Sequence, residues 1–534
     1  MFSKSLLRTT LVVGSGRLEM HRGAKRGISS FPSVDIRRHS SSTTMLNGAS
    51  KLKTMDELHG PTFLTSLYWL FGKGYFQITH QMQIEHSNIY GPLWMSKYGP
   101  MVIVNVASAE LIEQVLRQEG RHPIRTDMPH WRGYRELRKQ AYGPLTEMGA
   151  EWQRIRSILN PRMLKPKHVS TYTGSLNLVV TDFIHRLDWL RKTKGGGVMV
   201  HDLAGELYKF AFEGISMVLF EKRMGCLNEE VPEDTQKFIN SVGEMFRLSP
   251  ILVLFPKSFW PYLPSWKHFV AVWDHLFKVA QTLVEEKMAQ VQEKVDRGEA
   301  VEGEYLTHLL VSEQMSITEV LGSITELLLA GVDGGGGMTS NTISWALYHL
   351  ARNHGVQDRL YREVSSVCPG DRIPGSDDLA RMPWLKAVVR ETLRLYPVVP
   401  GNARVTVENE IVVGDYIFPK NTLFHLCHYA VSRDARTFSD PLRFRPERWL
   451  RGGEETQRQH PFGSVPFGFG IRACLGKRVA ELEMYLVLSR LIKHFEVRPD
   501  PAGTTVTPIT RTLLVPATPI HLQFLPRENQ EDTV

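Results

Sequence analysis

The chain has 534 residues, of which 42% are apolar, 10% aromatic and 22% charged. That balance excludes a disordered chain, a collagen and a small disulfide-stapled domain, and no run of eighteen uninterrupted apolar residues offers a transmembrane helix. The formal net charge of +8 sits mostly in residues 1–44, where Lys4, Arg8, Arg17, Arg22, Lys25, Arg26, Arg37 and Arg38 face only Glu19 and Asp35, so the nearly neutral body gives no argument for a nucleic-acid partner.

In chain order, residues 1–44 are rich in Arg and Ser, poor in acids and end in a Ser/Thr run, the composition of a mitochondrial transit peptide; the alternative is a basic tail. The body, 45–534, shows no linker, repeat or low-complexity tract. A strand is predicted at 100–105 and helical spacing at 104–118 and 205–220. Residues 250–266 are apolar, aromatic and broken by prolines, a pattern that argues against a long helix there. Helical spacing returns at 267–296, 317–333, 339–352, 385–396 and 479–495, with short strands at 410–413, 512–516 and 520–524. The expected fold is mainly α with small β-sheets, in a single domain.

The segment richest in chemistry is Pro466-Phe467-Gly468-Phe469-Gly470-Ile471-Arg472-Ala473-Cys474-Leu475-Gly476, which runs into the helix that follows. A cysteine at a helix N-terminus meets free backbone N–H groups and the positive end of the helix dipole, both of which favour thiolate. The glycines let backbone fold closely around the sulfur and approach a flat ligand, and Arg472 can meet that ligand's carboxylates. Gly468-x-Gly470-x-x-Ala473 resembles a dinucleotide fingerprint, but prolines and glycines precede it where that motif needs a buried strand. The other cysteines, Cys226, Cys368 and Cys427, read as small buried hydrophobes, and the four are spaced too irregularly for a disulfide framework or a zinc site.

F-G-x-G-x-R-x-C-x-G is the haem-binding signature of the cytochrome P-450 family, and this chain resembles that family at every fixed position: Phe467, Gly468, Gly470, Arg472, Cys474 and Gly476. Glu391-Thr392-Leu393-Arg394 is similar to its E-x-x-R, and Phe444-Arg445-Pro446-Glu447-Arg448-Trp449 to the segment completing that triad. Taken alone, Glu391 and Arg394 read as a surface i,i+3 pair; the resemblance makes them, with Arg448, a structural lock. Trp152-x-x-x-Arg156 matches the family's W-x-x-x-R, whose residues bind a haem propionate, and Arg404 stands where the family keeps another propionate arginine. Within the family the segments Tyr90–Ser96, Phe220–Cys226, Val231–Thr235 and His460–Phe467 most resemble the mitochondrial sterol 27-hydroxylase (sterol 26-hydroxylase) type, and the likeness spans roughly residues 55–525.

The resemblance implies a haem b enzyme with Cys474 as the iron ligand, inserting one oxygen atom from dioxygen into a sterol side chain. It implies a place at the matrix face of the inner mitochondrial membrane and electrons from an adrenodoxin-type [2Fe-2S] ferredoxin with its NADPH-dependent reductase. Lys386 and Arg390, one turn apart and off the apolar arc of their helix, match the family's basic ferredoxin-docking pair, which Lys477 and Arg478 extend; unaided they read as a solvated face. Val398 and Val399 are expected as substrate-pocket walls or as plain packing, and 250–266 as a substrate entrance dipping into the membrane or as core. A vitamin D (secosteroid) hydroxylase is the alternative within the family.

One segment departs from the pattern. Where the family writes A-G-x-D-T-T, this chain reads Ala330-Gly331-Val332-Asp333-Gly334-Gly335-Gly336-Gly337-Met338-Thr339. Asp333 is kept, the first threonine is lost, and five residues stand in place of one. Four glycines cost a helix about 4 kcal/mol against alanine, so a looped or widened helix is expected; if it ran on unbroken, everything downstream would turn by about 40° and shift by about 6 Å. The stretch is either a genuine insertion or a sequence or splice-boundary artefact. If genuine, it implies impaired coupling, with Thr339 as a substitute hydroxyl, or a catalytically impaired haem-binding paralogue.

Overall fold

A computed structural model describes residues 52–98, 101–301, 303–331, 336–452 and 459–527. The predicted leader at 1–44 and Asp333 lie outside the described residues. After a short strand (Lys53–Thr54) and two helices (Phe63–Leu67 and Thr79–Tyr90) come β1 (Leu93–Tyr98) and β2 (Met101–Val106), followed by α1 (Ala109–Arg117), α2 (Pro129–Arg138), α3 (Gly149–Leu164) and α4 (Thr173–Thr193). After β3 (Met199–Val200) come α5 (Leu203–Phe220), α6 (Glu233–Val253), α7 (Pro264–Asp296), α8 (Ile317–Leu329), α9 (Gly336–Arg352) and α10 (Pro383–Leu395). The C-terminal part carries β4 (Asn402–Val405), β5 (Leu423–Leu426), α11 (Lys477–His494), β6 (Phe495–Pro499), β7 (Pro508–Arg511), β8 (Leu513–Pro516) and β9 (Leu522–Pro526).

Local chemistry sets the helix starts. Ser108 stops the helical spacing of 104–118 from reaching back into β2: its hydroxyl accepts the Leu111 N–H and α1 begins only at Ala109. Ser316 and Glu319 close a capping box on α8. Prolines 129, 264 and 383 occupy the first turns of α2, α7 and α10, where a missing N–H costs nothing.

The expectation for 250–266 is corrected at both ends. Pro250 lies inside the last turns of α6, which runs to Val253, and Pro264 opens the 33-residue α7. Only 254–263 is non-α, and it divides by face: Trp260 is buried, whereas Leu254, Phe255, Phe259 and Tyr262 are exposed. Among the described residues no helix is long and apolar enough to cross a membrane.

Helix α5 packs along α9, and both are buried nearly all round, as helices through the middle of a large core must be. Helix α11 packs on α9, α3 and α4. The main sheet runs β1-β2-β5-β4, parallel only between β2 and β5, with Val104 opposite Phe424 and Arg404 opposite Phe424 from the other side. Smaller sheets are β3-β9-β6, the β7–β8 hairpin and a three-stranded sheet in which Tyr416–Phe418 lies between Lys53–Thr54 and Ile411–Val413. At the glycine run, α8 ends at Leu329, passes into a π turn at Ala330–Gly331, and α9 begins at Gly336.

Candidate active site: a buried thiol among arginines

Cys474 sits immediately before α11 on a tight loop. Its N–H donates to the Phe467 carbonyl at 2.8 Å, and Gly468 and Gly470 take left-handed backbone (φ +72° and +67°) to close the turn. The sulfur faces the backbone N–H groups of Gly476 and Lys477 and the charges of Arg125 and Arg156. Burial nevertheless dominates and pushes the free thiol up, so the helix terminus alone does not yield the thiolate that the sequence pattern suggests. A bonded metal ion removes that proton outright.

Four arginines converge beside the loop. Arg472 is buried, donates through Nε to the Pro123 carbonyl at 2.7 Å and lies over the Trp152 ring at 3.6 Å. Arg156 donates to the Ala473 carbonyl at 2.9 Å. Arg404, buried on β4, pairs with Glu119 at 2.6 Å. Arg125 reaches the Arg472 carbonyl at 3.3 Å, on a loop pinned to β4 by the Val405 N–H to Ile124 carbonyl bond. Burial, and then the repulsion of their neighbours, brings Arg472 down to about 9 and Arg125 to about 10. Guanidinium groups held that low are short of negative charge, and Glu119 is the carboxylate that meets them. Arg472 Nη2 and Trp152 Nε1 are both buried without a partner. A ligand bearing two carboxylates beside a thiolate-bound metal answers every one of these demands, and haem b with its propionates is such a ligand.

Arg125 and Glu119 were not legible as site residues: they lie in an irregular loop and match no spacing.

Beyond the loop, Glu391 on α10 is completely buried. It accepts from Arg394 Nη2 at 2.8 Å and Nε at 2.9 Å, Arg448 Nε at 3.0 Å, Trp449 Nε1 at 2.9 Å and the Arg445 N–H at 2.9 Å. Burial works to raise its pKa, but these donors hold it below the ordinary carboxylate range. The surface-pair reading of Glu391 and Arg394 therefore fails on burial.

A narrow slot lies between α9 and the cysteine loop, lined by Met338, Thr339, Thr342, Leu393, Val398, Pro466, Phe467, Ala480 and Met484. Val398 lines it, and Val399 is not part of its lining. The Thr339 hydroxyl is directed to Glu483 Oε2 at 3.4 Å, and the Thr342 hydroxyl to the Met338 carbonyl at 2.6 Å. On the outer face, Lys386, Arg390, Lys477 and Arg478 all act on Glu481, and the last three are exposed.

The chain matches the family Cytochrome P450 over residues 58–524. It is 47% identical over 482 residues to the mitochondrial sterol 26-hydroxylase of Oryctolagus cuniculus, 89% of either chain. It is 44% identical over 488 residues to the mitochondrial 25-hydroxyvitamin D-1 alpha hydroxylase of Homo sapiens, 90% of this chain and 94% of that one. The crystal structure of the cytochrome P450DA haem domain superposes with a TM-score of 0.73 at 20% identity, covering 90% of this chain and 99% of that one, which speaks for the fold.

Proposed function

The chain belongs to the cytochrome P450 family, and on that premise we propose that it hydroxylates the side chain of a sterol, at the 26/27 position, in the mitochondrion. It is a monooxygenase with haem b as its cofactor. The likeness to sterol 26-hydroxylases along nine-tenths of both chains carries the sterol reading. When bound through Cys474, the haem supplies oxygen activation, and the thiolate's electron density favours O–O cleavage. The reaction takes up dioxygen, two electrons and two protons, leaving one oxygen on carbon and the other in water.

The chain's own part is to hold and to orient. Arg125, Arg156, Arg404, Arg472 and Trp152 supply donors for two carboxylates, and the Glu391–Arg394–Arg448 lock fixes α10 against the loop that leads to Cys474. Electrons come from a mitochondrial-type carrier, an acidic ferredoxin docking on Lys386, Arg390, Lys477 and Arg478. Two exposed apolar stretches, Phe63, Leu64, Tyr68 and Phe71 on one side and Leu254, Phe255, Phe259 and Tyr262 on the other, suit peripheral contact with the inner membrane. The β7–β8 hairpin touches the neighbourhood of both, at 75–77 and, through Thr512, at Phe246 of α6.

The test is in two steps: the reduced carbon-monoxide difference spectrum of the body, then ferredoxin-supported turnover of a sterol beside a secosteroid. Sterol hydroxylation is expected. Preferred secosteroid turnover would transfer the assignment to the vitamin D type, and an intact thiolate band without turnover of either would make it a silent paralogue.

A further inference from the structure

Two buried carboxylates bracket the glycine run. Upstream, Glu326 of α8 accepts from the Leu145 N–H at 2.7 Å, the Thr146 hydroxyl at 2.5 Å and Arg135 Nη2 at 3.3 Å, tying α8 to the 143–146 loop and α2. Downstream, Glu483 stands on α11, nine residues after Cys474, 4% exposed in the core between α4, α5, α9 and α11. Its Oε2 takes the Thr339 hydroxyl from α9.

The other oxygen, Oε1, is buried without a partner. It lies against α5 so closely that a Cβ on Gly214 would come within 2.6 Å of it, and the same Cβ would touch Leu176 of α4 at 3.5 Å. No charged side chain of α4, α5 or α9 stands within ion-pairing distance among the described residues; Thr339, Gly214 and Leu176 are what face it. A charged carboxylate in such surroundings is costly, and burial brings Glu483 up to about 8. It is therefore a neutral acid at neutral pH, unlike Glu391, which carries its charge among arginines.

We propose that Glu483 is a positioning residue: by holding Thr339 it fixes the rotation of α9 against the Cys474 helix after the glycine run. Both threonine hydroxyls on that face are then engaged, Thr339 on Glu483 and Thr342 on the Met338 carbonyl, and the slot is left with the thioether of Met338. Glu326 thus ties α8 and Glu483 ties α9 to their neighbours on either side of residues 332–335, so each helix has its own anchor. This rests on the haem-thiolate assignment and not on the choice of sterol.

The experiment compares the haem-loaded full chain with its Glu483→Gln, Glu483→Ala, Thr339→Val and Thr339→Ser variants, following the thiolate-type carbon-monoxide band and the thermal midpoint from pH 6 to 9. A buried acid raised from its ordinary value supports the fold fully below about 4.5 and loses that support as pH rises through about 8. The parent midpoint therefore falls across this window, and Glu483→Gln, of the same size and uncharged, keeps the band at pH 7 with a flatter profile. Thr339→Val loses a severalfold share of the band and Thr339→Ser restores it. Should Glu483→Ala fail to fold, the threonine pair and the Gln profile still decide. A Gln variant with the parent's pH profile, or a Thr339→Val variant with an unchanged band, overturns the proposal, whatever substrate the enzyme turns over.

Discussion

The guanidinium carbon of Arg472 lies over the indole of Trp152, 3.6 Å from the ring centroid, and each side chain leaves one buried N–H without a partner. The contact positions the two groups against each other and leaves one donor on each to meet a ligand's carboxylate.

Removing either donor therefore weakens retention of haem. A hydrogen bond to a charged group contributes about 1.5–3 kcal/mol, so Arg472→Ala is expected to speed haem transfer to an acceptor apoprotein roughly 10–100-fold. Trp152→Phe, which keeps the ring under Arg472 and loses only Nε1, should fall at the lower end.

Glu391 makes a different demand. Donors from Arg394, Arg445, Arg448 and Trp449 surround a buried charge, and removing one partner of such a group costs about 3–5 kcal/mol. Glu391→Gln is expected to lower the yield of folded haem protein sharply, with Glu391→Ala worse. Because the folded-state pKa is depressed, its contribution is present above the ordinary carboxylate value and is lost as pH falls below it. Acid unfolding curves of the parent should steepen below about 4.5.

How much of this was visible in sequence depends on the kind of residue. Cys474 and its glycines were legible because a helix N-terminus, a positive-φ turn and a nucleophile leave a contiguous signature. Arg404, on β4, and Arg156, on α3, were named only by resemblance, since elements from distant parts of the chain bring them together. Arg125 was invisible, because what makes it a site residue is repulsion from Arg404 and Arg156, which no local pattern records. Pro250 misled in the opposite sense, since the tertiary contacts of α6 carry the helix through it. Glu483 left no mark in the sequence, because its isolation from charge among the described residues is a property of four packed helices.

The basic face gives a third expectation. Lys386→Gln and Arg390→Gln should each raise the ferredoxin KM roughly two- to fivefold, the range of exposed charge pairs, with kcat largely kept. Rate against ionic strength should flatten in the double variant. A parent rate indifferent to salt would remove this face as the docking site.

The 254–263 segment gives a fourth. Phe259 and Tyr262 are 58% and 81% exposed while Trp260 between them is buried, so the outward side chains can change without touching the core. Burying a large apolar side chain contributes about 1.5–3 kcal/mol, and Phe259→Asp or Tyr262→Asp should weaken partition into anionic phospholipid vesicles roughly tenfold or more. The carbon-monoxide band should be unchanged, which separates loss of membrane contact from loss of fold.

The last expectation concerns coupling. With Thr339 turned to Glu483 and Thr342 bonded within its own helix, the slot face of α9 offers a thioether where a hydroxyl is needed to pass a proton. Methionine sulfur is a weak acceptor with no proton to give. Electrons delivered to this chain should therefore end largely as peroxide, with little hydroxylated product per NADPH consumed. Deleting Gly334–Gly337 together with Met338→Thr restores one hydroxyl directly after Asp333 and leaves Glu326 and Glu483 as they are. If those two hold α8 and α9 independently, this variant should keep the thiolate band and its thermal midpoint, and its product-to-NADPH ratio should rise severalfold. A parent chain that already couples well would show that protons reach the site without a hydroxyl at this position. A variant that loses the band would show that α9 depends on the inserted residues for its seat.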